Sequence, residues 1–123
     1  MIAATNTNEK AIAPREYAKR IAELNDRFRQ TYWGGKVMTT CGVNELSEDI
    51  KARLFRAVAE FDSFDWRNDP HGEHDFGKVV VEGRDYFFKI DLHEERPVKL
   101  FDDGTYAEAV YTRVLTIMLA EEY

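Results

Sequence analysis

Apolar positions along this chain change period several times, and each change marks an element. Tyr17, Ile21, Leu24 and Phe28 fall at steps of four, three and four residues, which is one face of a helix. Pro14 can open that helix, and it should fade near Gln30, before Gly34-Gly35. Arg15, Lys19, Arg20, Glu23 and Arg27 take its other faces. From Lys36 to Val43 the text turns β-branched and reads as a strand, with Gly42 as a bulge or an end. Ser47 is a good N-cap, and Glu48 and Asp49 follow where the helix dipole favours anions. Ile50, Leu54, Val58 and Phe61, helped by Ala57, then predict a second helix over 48–61.

Residues 62–75 form a long polar connection of Asp, Asn, Pro and Gly. Phe64 and Trp66 within it should pin it down. Phe76–Glu82 and Tyr86–Asp91 read as two strands joined by a Glu82-Gly83-Arg84-Asp85 turn, with Val79 and Val81 on one face and Phe87 alternating with Phe88. After a second polar connection over 92–104, Thr105 and Glu108 make a capping box. Ala107, Val110, Val114, Ile117 and Met118 then predict a third helix ending near Glu122. The expected order is α-β-α-β-β-α: a two-layer α+β domain over 14–123, its three-stranded, mainly antiparallel sheet packed on helices, behind a frayed leader over 1–13.

The 123 residues and their 44% hydrophobic content suit one core and exclude a disordered chain. A lone cysteine, Cys41, excludes an internal disulfide; its strand setting suggests a buried thiol, and a reducing cytoplasm is the expected location. No apolar run is long enough to span a bilayer. Charge is uneven. Residues 1–59 carry ten Lys/Arg against seven Asp/Glu, net +3; residues 60–123 carry seven against sixteen, net −9, together the overall −6. The acidic half argues against direct binding to a phosphate backbone and suits a partner with a basic surface.

Candidate chemistry concentrates in Asn68-Asp69-Pro70-His71-Gly72-Glu73-His74-Asp75-Phe76-Gly77, where two histidines and three carboxylates fall within ten residues. Imidazole and carboxylate ligate transition metals, and Asp91 and His93 could complete a set across the sheet. Glu73 and Asp75 could also serve as an acid/base pair. The spacing matches no metal signature, and Asn68-Asp69-Pro70 equally suits a loop that bonds its own backbone. Glu73, His74 and Asp75 are the candidate polar site. No cofactor is expected. Trp33, Trp66, Tyr86, Phe87 and Phe88 fit core or interface packing better than base stacking.

Three blocks carry a family resemblance: Leu24-Asn25-Asp26-Arg27-Phe28-Arg29 with Gly34-Gly35-Lys36-Val37; the Asn68-to-Gly77 box with Lys89-Ile90-Asp91; and Val114-Leu115-Thr116-Ile117-Met118-Leu119-Ala120 with Glu122-Tyr123. Together they resemble a bacterial domain-of-unknown-function family, number 3768. The resemblance implies no assigned activity. It implies a setting in bacterial chromosomes and mobile elements near anti-restriction genes, hence a role in countering host defence. Family members often have Tyr at the position of His71 and aromatics near Leu92-His93, which leaves Glu73, His74 and Asp75 as the matched polar core.

The expected function is a non-enzymatic binding or inhibitory protein. Phe64 and Trp66 would anchor a basic partner, and Asp62, Asp65 and Asp69 would steer it. The alternative is a metal-assisted or carboxylate hydrolase built on Glu73, His74 and Asp75.

Overall fold

The computed structural model describes residues 14–107 and 110–123. Helix α1 spans Pro14–Thr31, strand β1 Lys36–Thr39, a short helix α2 Cys41–Asn44 and helix α3 Glu48–Glu60. Strands β2 (Phe76–Val81), β3 (Arg84–Arg96), β4 (Lys99–Leu100), β5 (Tyr106–Ala107) and β6 (Val110–Leu119) follow, and a 3-10 turn over Ala120–Glu122 ends the order. The main sheet has the order β1-β6-β3-β2, and β4 pairs with β5 in a small separate hairpin. β1 runs parallel to β6; β3 is antiparallel to both β2 and β6.

The class is α+β as expected, but the sheet is mixed and four-stranded. The C-terminal segment accounts for the difference: it is the central strand β6, and the helix predicted there does not exist over 110–119. Leu115, Ile117 and Leu119 face the helices and are buried, while Val114 and Met118 on the opposite face are buried too. A strand covered on both sides reads as a continuous apolar run, which periodicity does not separate from a helix. Thr105 caps no helix; its N–H and hydroxyl both donate to Asp103 in the turn between β4 and β5. Glu108 lies outside the described residues, as does the leader assigned to 1–13.

The remaining elements follow their local signals. Ser47 Oγ accepts from the Ile50 N–H at 3.2 Å and starts α3, whose Leu54 and Val58 are fully buried. Between β2 and β3, Glu82 and Gly83 have φ 52° and 75°, the left-handed pair of a two-residue hairpin turn. Gly77 lies opposite Phe88, where a Cβ would stand 2.5 Å from the phenyl ring. The predicted strand over 36–43 stops at Thr39, and Cys41 opens α2 with its side chain exposed, so it is not a buried thiol. A carboxylate latch holds this corner. Glu122 accepts from the Thr40 hydroxyl, from the Gly42 N–H at 3.0 Å and from the Leu119 N–H at 2.8 Å.

Helix α1 is turned from its expected orientation. Phe28 is buried, but Tyr17 and Leu24 are exposed; Ala22, Asn25 and Arg29 take the inward positions with Phe28. The core is Phe28, Val43, Leu54, Val58, Val79, Tyr86, Phe88, Leu115 and Ile117 with their neighbours, between the helices and one face of the sheet.

Candidate functional site

The polar box folds back on itself and onto α1. Asp69 is buried, and its Oδ1 accepts the N–H of Glu73 at 3.0 Å and of His74 at 3.2 Å. That bond pattern closes the Pro70–Glu73 turn and sets His74 in the left-handed region, at φ 54°. His74 Nδ1 lies 2.9 and 3.0 Å from the two carboxylate oxygens of Asp26 on α1. A carboxylate only accepts, so the proton of this contact belongs on Nδ1. The imidazole stacks on Phe64 with ring centroids 4.0 Å apart and planes 5° from parallel.

Asp26 in turn holds Arg29 at 2.7 Å. The Arg29 guanidinium is 1% exposed and donates to the carbonyls of Val58 at 2.8 Å, Ala59 at 3.2 Å and Phe61 at 2.8 Å. These are carbonyls at the end of α3, where a helix leaves acceptors unpaired and a cation is favoured. Its carbon centre sits 5.4 and 5.3 Å from the Phe64 and Phe88 rings. Asn25 adds a second tie: its amide donates to the Glu73 carbonyl at 2.9 Å, and its oxygen accepts from Arg113 Nε at 2.8 Å. Burial holds the Arg113 guanidinium below its ordinary range. The chain Asp69–His74–Asp26–Arg29 therefore joins the box, α1 and the end of α3.

Of the candidate polar residues, His74 lies inside this brace. Glu73 contributes its backbone, and the Asp75 carbonyl accepts from the Ile90 N–H at 2.8 Å. His71 and His93 are exposed. Among the described residues, no three His, Cys, Asp or Glu side chains converge as metal ligands. A groove of about 500 Å³ runs beside the brace, lined by Arg15, Ala18, Lys19, Ala22, Glu23, Asp26, His71, Gly72 and His74.

The residues expected to meet a partner divide. Asp62, Asp65 and Trp66 face solvent, Trp66 at 79% exposure. Asp65 pairs with Arg67 at 2.9 Å, and that hydrogen bond holds its carboxyl below the usual carboxylate range. Asp69 faces inward as an acceptor for the backbone, so its carboxylate is not offered for direct contact. Phe64 is half-buried against His74, Phe61 and Phe88.

Sequence reasoning missed Asn25, Asp26 and Arg29 as partners of the box. Their signal was polar residues at one helical face, i and i+4 for Asn25 and Arg29, within a block that the family resemblance already singled out. It also missed an arm. From Asp91 onward β3 pairs only with β6 among the described residues, and every residue of 91–100 is exposed. Leu92, Val98, Leu100, Phe101, Tyr106 and Tyr111 stand open there, among Asp91, Glu94, Glu95, Asp102 and Asp103.

Among the described residues, no helix is long and apolar enough to cross a membrane. No curated protein and no solved structure matches the chain. The family described as "Protein of unknown function (DUF3768)" matches residues 39–122, which takes in the box and the C-terminal block but begins after the Leu24–Arg29 block. That match covers more than half of the chain, and the chain belongs to the DUF3768 family.

Proposed function

We propose that this protein is a non-enzymatic binding module whose acidic C-terminal half docks on a basic surface of another protein and blocks it. The observation that carries this reading is the arm, where large apolar side chains stand exposed among carboxylates. Soluble domains rarely leave that much apolar surface on one projecting element without a use for it. The exposed Trp66, on a turn beside Asp62 and Asp65, supplies a second anchor of the kind that dominates binding energy. A basic partner that normally holds nucleic acid fits this chemistry, and an anti-defence role on a mobile element is the setting the family resemblance implies.

The test is association with a candidate defence nuclease at increasing ionic strength. Affinity should fall steeply with salt and fall again in the Trp66→Ala variant. Binding that ignores both salt and Trp66 overturns the reading.

One observation favours a second reading, acid/base catalysis. His74 has a carboxylate on Nδ1, the arrangement that orients a general base, and it lines the 500 Å³ groove. Hydrolysis of ester or phosphoester substrates that disappears in His74→Ala and Asp26→Asn, with the fold kept, would establish it. No turnover with either substrate class removes it.

A further inference from the structure

Among the described residues the arm leaves one strand edge unpaired, and its chemistry specifies what could lie there. β2 accompanies β3 only as far as the Phe76↔Lys89 pair, and one more bond, Ile90 N–H to Asp75 carbonyl, closes the lane. In an antiparallel ladder the N–H and C=O of alternate residues point to the same side. Ile90 points toward β2, so Leu92 and Glu94 present their backbone groups along the line that β2 has vacated. β6 covers only the opposite edge, from Asp91↔Val114 to Arg96↔Val110.

A recess of about 210 Å³ opens beside this edge. Ile21 of α1 lies on one side, Ile90 and Leu92 on the other, and Glu73, Asp75 and Asp91 stand around it. Asp91 has Lys89 at 3.3 Å, and Arg113 is the one cation in the lining among the described residues. Ile21 and Leu92 offer an apolar seat, the carboxylates an acidic rim, and the edge a row of hydrogen-bond groups.

We propose that this edge takes up an extended, lysine- or arginine-bearing segment of the partner protein as an added β-strand. Strand addition draws affinity from main-chain bonds and specificity from alternate side chains. Here one side of the incoming strand places an apolar residue over Ile21 and Leu92. Its flanking cations meet Glu73, Asp75 and Asp91. A second copy of the same arm is a poor occupant, because residues 91–103 carry five carboxylates against the two cations Arg96 and Lys99 and repel their own kind. Charged edges also serve to prevent pairing with other chains, but an edge with carboxylates in excess repels an acidic strand and leaves a basic one welcome. The inference rests on the proposed docking to a basic partner and gives Glu73 and Asp75, which the brace holds by their backbones, a use for their side chains.

The test uses the full chain and a fluorescein-labelled heptapeptide, Lys-Val-Lys-Val-Arg-Val-Lys, read by fluorescence anisotropy at low salt. Two isomers carry N-methyl groups on alternate residues, so that each blocks one edge of the peptide. One isomer should lose at least about tenfold in affinity and the other should keep it, because only one edge bonds β3. The amide signals of Leu92 and Glu94 should shift on binding and become protected from hydrogen exchange. Equal effects of the two isomers, with shifts confined to Asp62–Trp66, overturn strand addition while leaving the basic-partner reading intact. Slow exchange of the Leu92 and Glu94 amides before any peptide is added overturns it too, since the edge is then occupied. If neither this peptide nor polylysine binds, both readings fall.

Discussion

Replacing Arg29 by alanine should be among the most damaging single changes in this protein. The guanidinium is 1% exposed, donates to three carbonyls at the end of α3 and holds Asp26 at 2.7 Å. Removing one partner of a buried ion pair costs about 3–5 kcal/mol; here Asp26, 27% exposed, keeps His74, while the three carbonyls at the end of α3 lose their donor. Each charge-assisted bond in isolation is worth about 1.5–3 kcal/mol, but bonds sharing one group do not add. Water can also reach part of the vacated helix end. A loss of about 4 kcal/mol is therefore expected for Arg29→Ala. With a urea slope of about 2 kcal/mol per molar, the midpoint should fall by about 2 M. Arg29→Lys keeps the charge but has no planar fork to span the three carbonyls and the carboxylate, so it should recover about half of the loss. Equilibrium urea unfolding followed by circular dichroism measures both. A shift under about 0.5 M for Arg29→Ala, or a lysine variant as stable as the parent, would refute the claim that this side chain ties α1 to α3.

Three further outcomes are expected. Asp69→Ala leaves the Glu73 and His74 N–H groups without their acceptor and should cost about 1–3 kcal/mol, with faster hydrogen exchange at those two amides. Hydrogen bonds, the Thr40 hydroxyl first and then the Leu119 and Gly42 N–H groups, hold the Glu122 carboxyl below its ordinary range. Its contribution to stability is complete above the ordinary carboxylate value, about pH 4, and is lost as pH falls through the lower folded value; Glu122→Gln should therefore lie below the parent at pH 7 and converge with it in acid unfolding curves. Trp66→Ala removes a side chain that is 79% exposed, so melting should move by no more than about 0.5 kcal/mol in stability while affinity for a basic partner drops about tenfold or more.

The legible parts of the sequence were those whose local chemistry agrees with their place in the fold. Ser47 with its acidic first turn and the Leu54/Val58 stripe define α3 without help from distant residues. The Glu82-Gly83 turn and the Val79/Val81 alternation define the β2–β3 hairpin in the same way. Two segments depended on tertiary context. β6 is buried on both faces, so Val110, Val114, Ile117 and Met118 matched helical steps while the true period was two. α1 buries Asn25 and Arg29 beside Phe28, and a reading that sends polar residues outward exposes those two.

The candidate site shows the same division. The box was recognisable as a dense polar loop, and the self-bonding role of its first residues was visible in Asn68-Asp69-Pro70. That Asp69 accepts from Glu73 and His74, and that His74 reaches Asp26 on α1, are contacts across up to 48 positions of sequence that no spacing rule encodes. The arm was hidden for a similar reason. Residues 92–104 read as a polar connection, while their pairing depends on β6 having been recognised as a strand.

The acidic half is held to face outward for recognition, and the affinity of the purified chain for the labelled Lys/Val peptide as a function of salt decides it, compared with a variant carrying Glu73→Gln, Asp75→Asn and Asp91→Asn, the carboxylates around the β3 edge. Steep weakening with salt is expected in the parent and a weaker, flatter dependence in the variant, with unchanged circular dichroism. Equal affinity and equal salt dependence in the two proteins would contradict it.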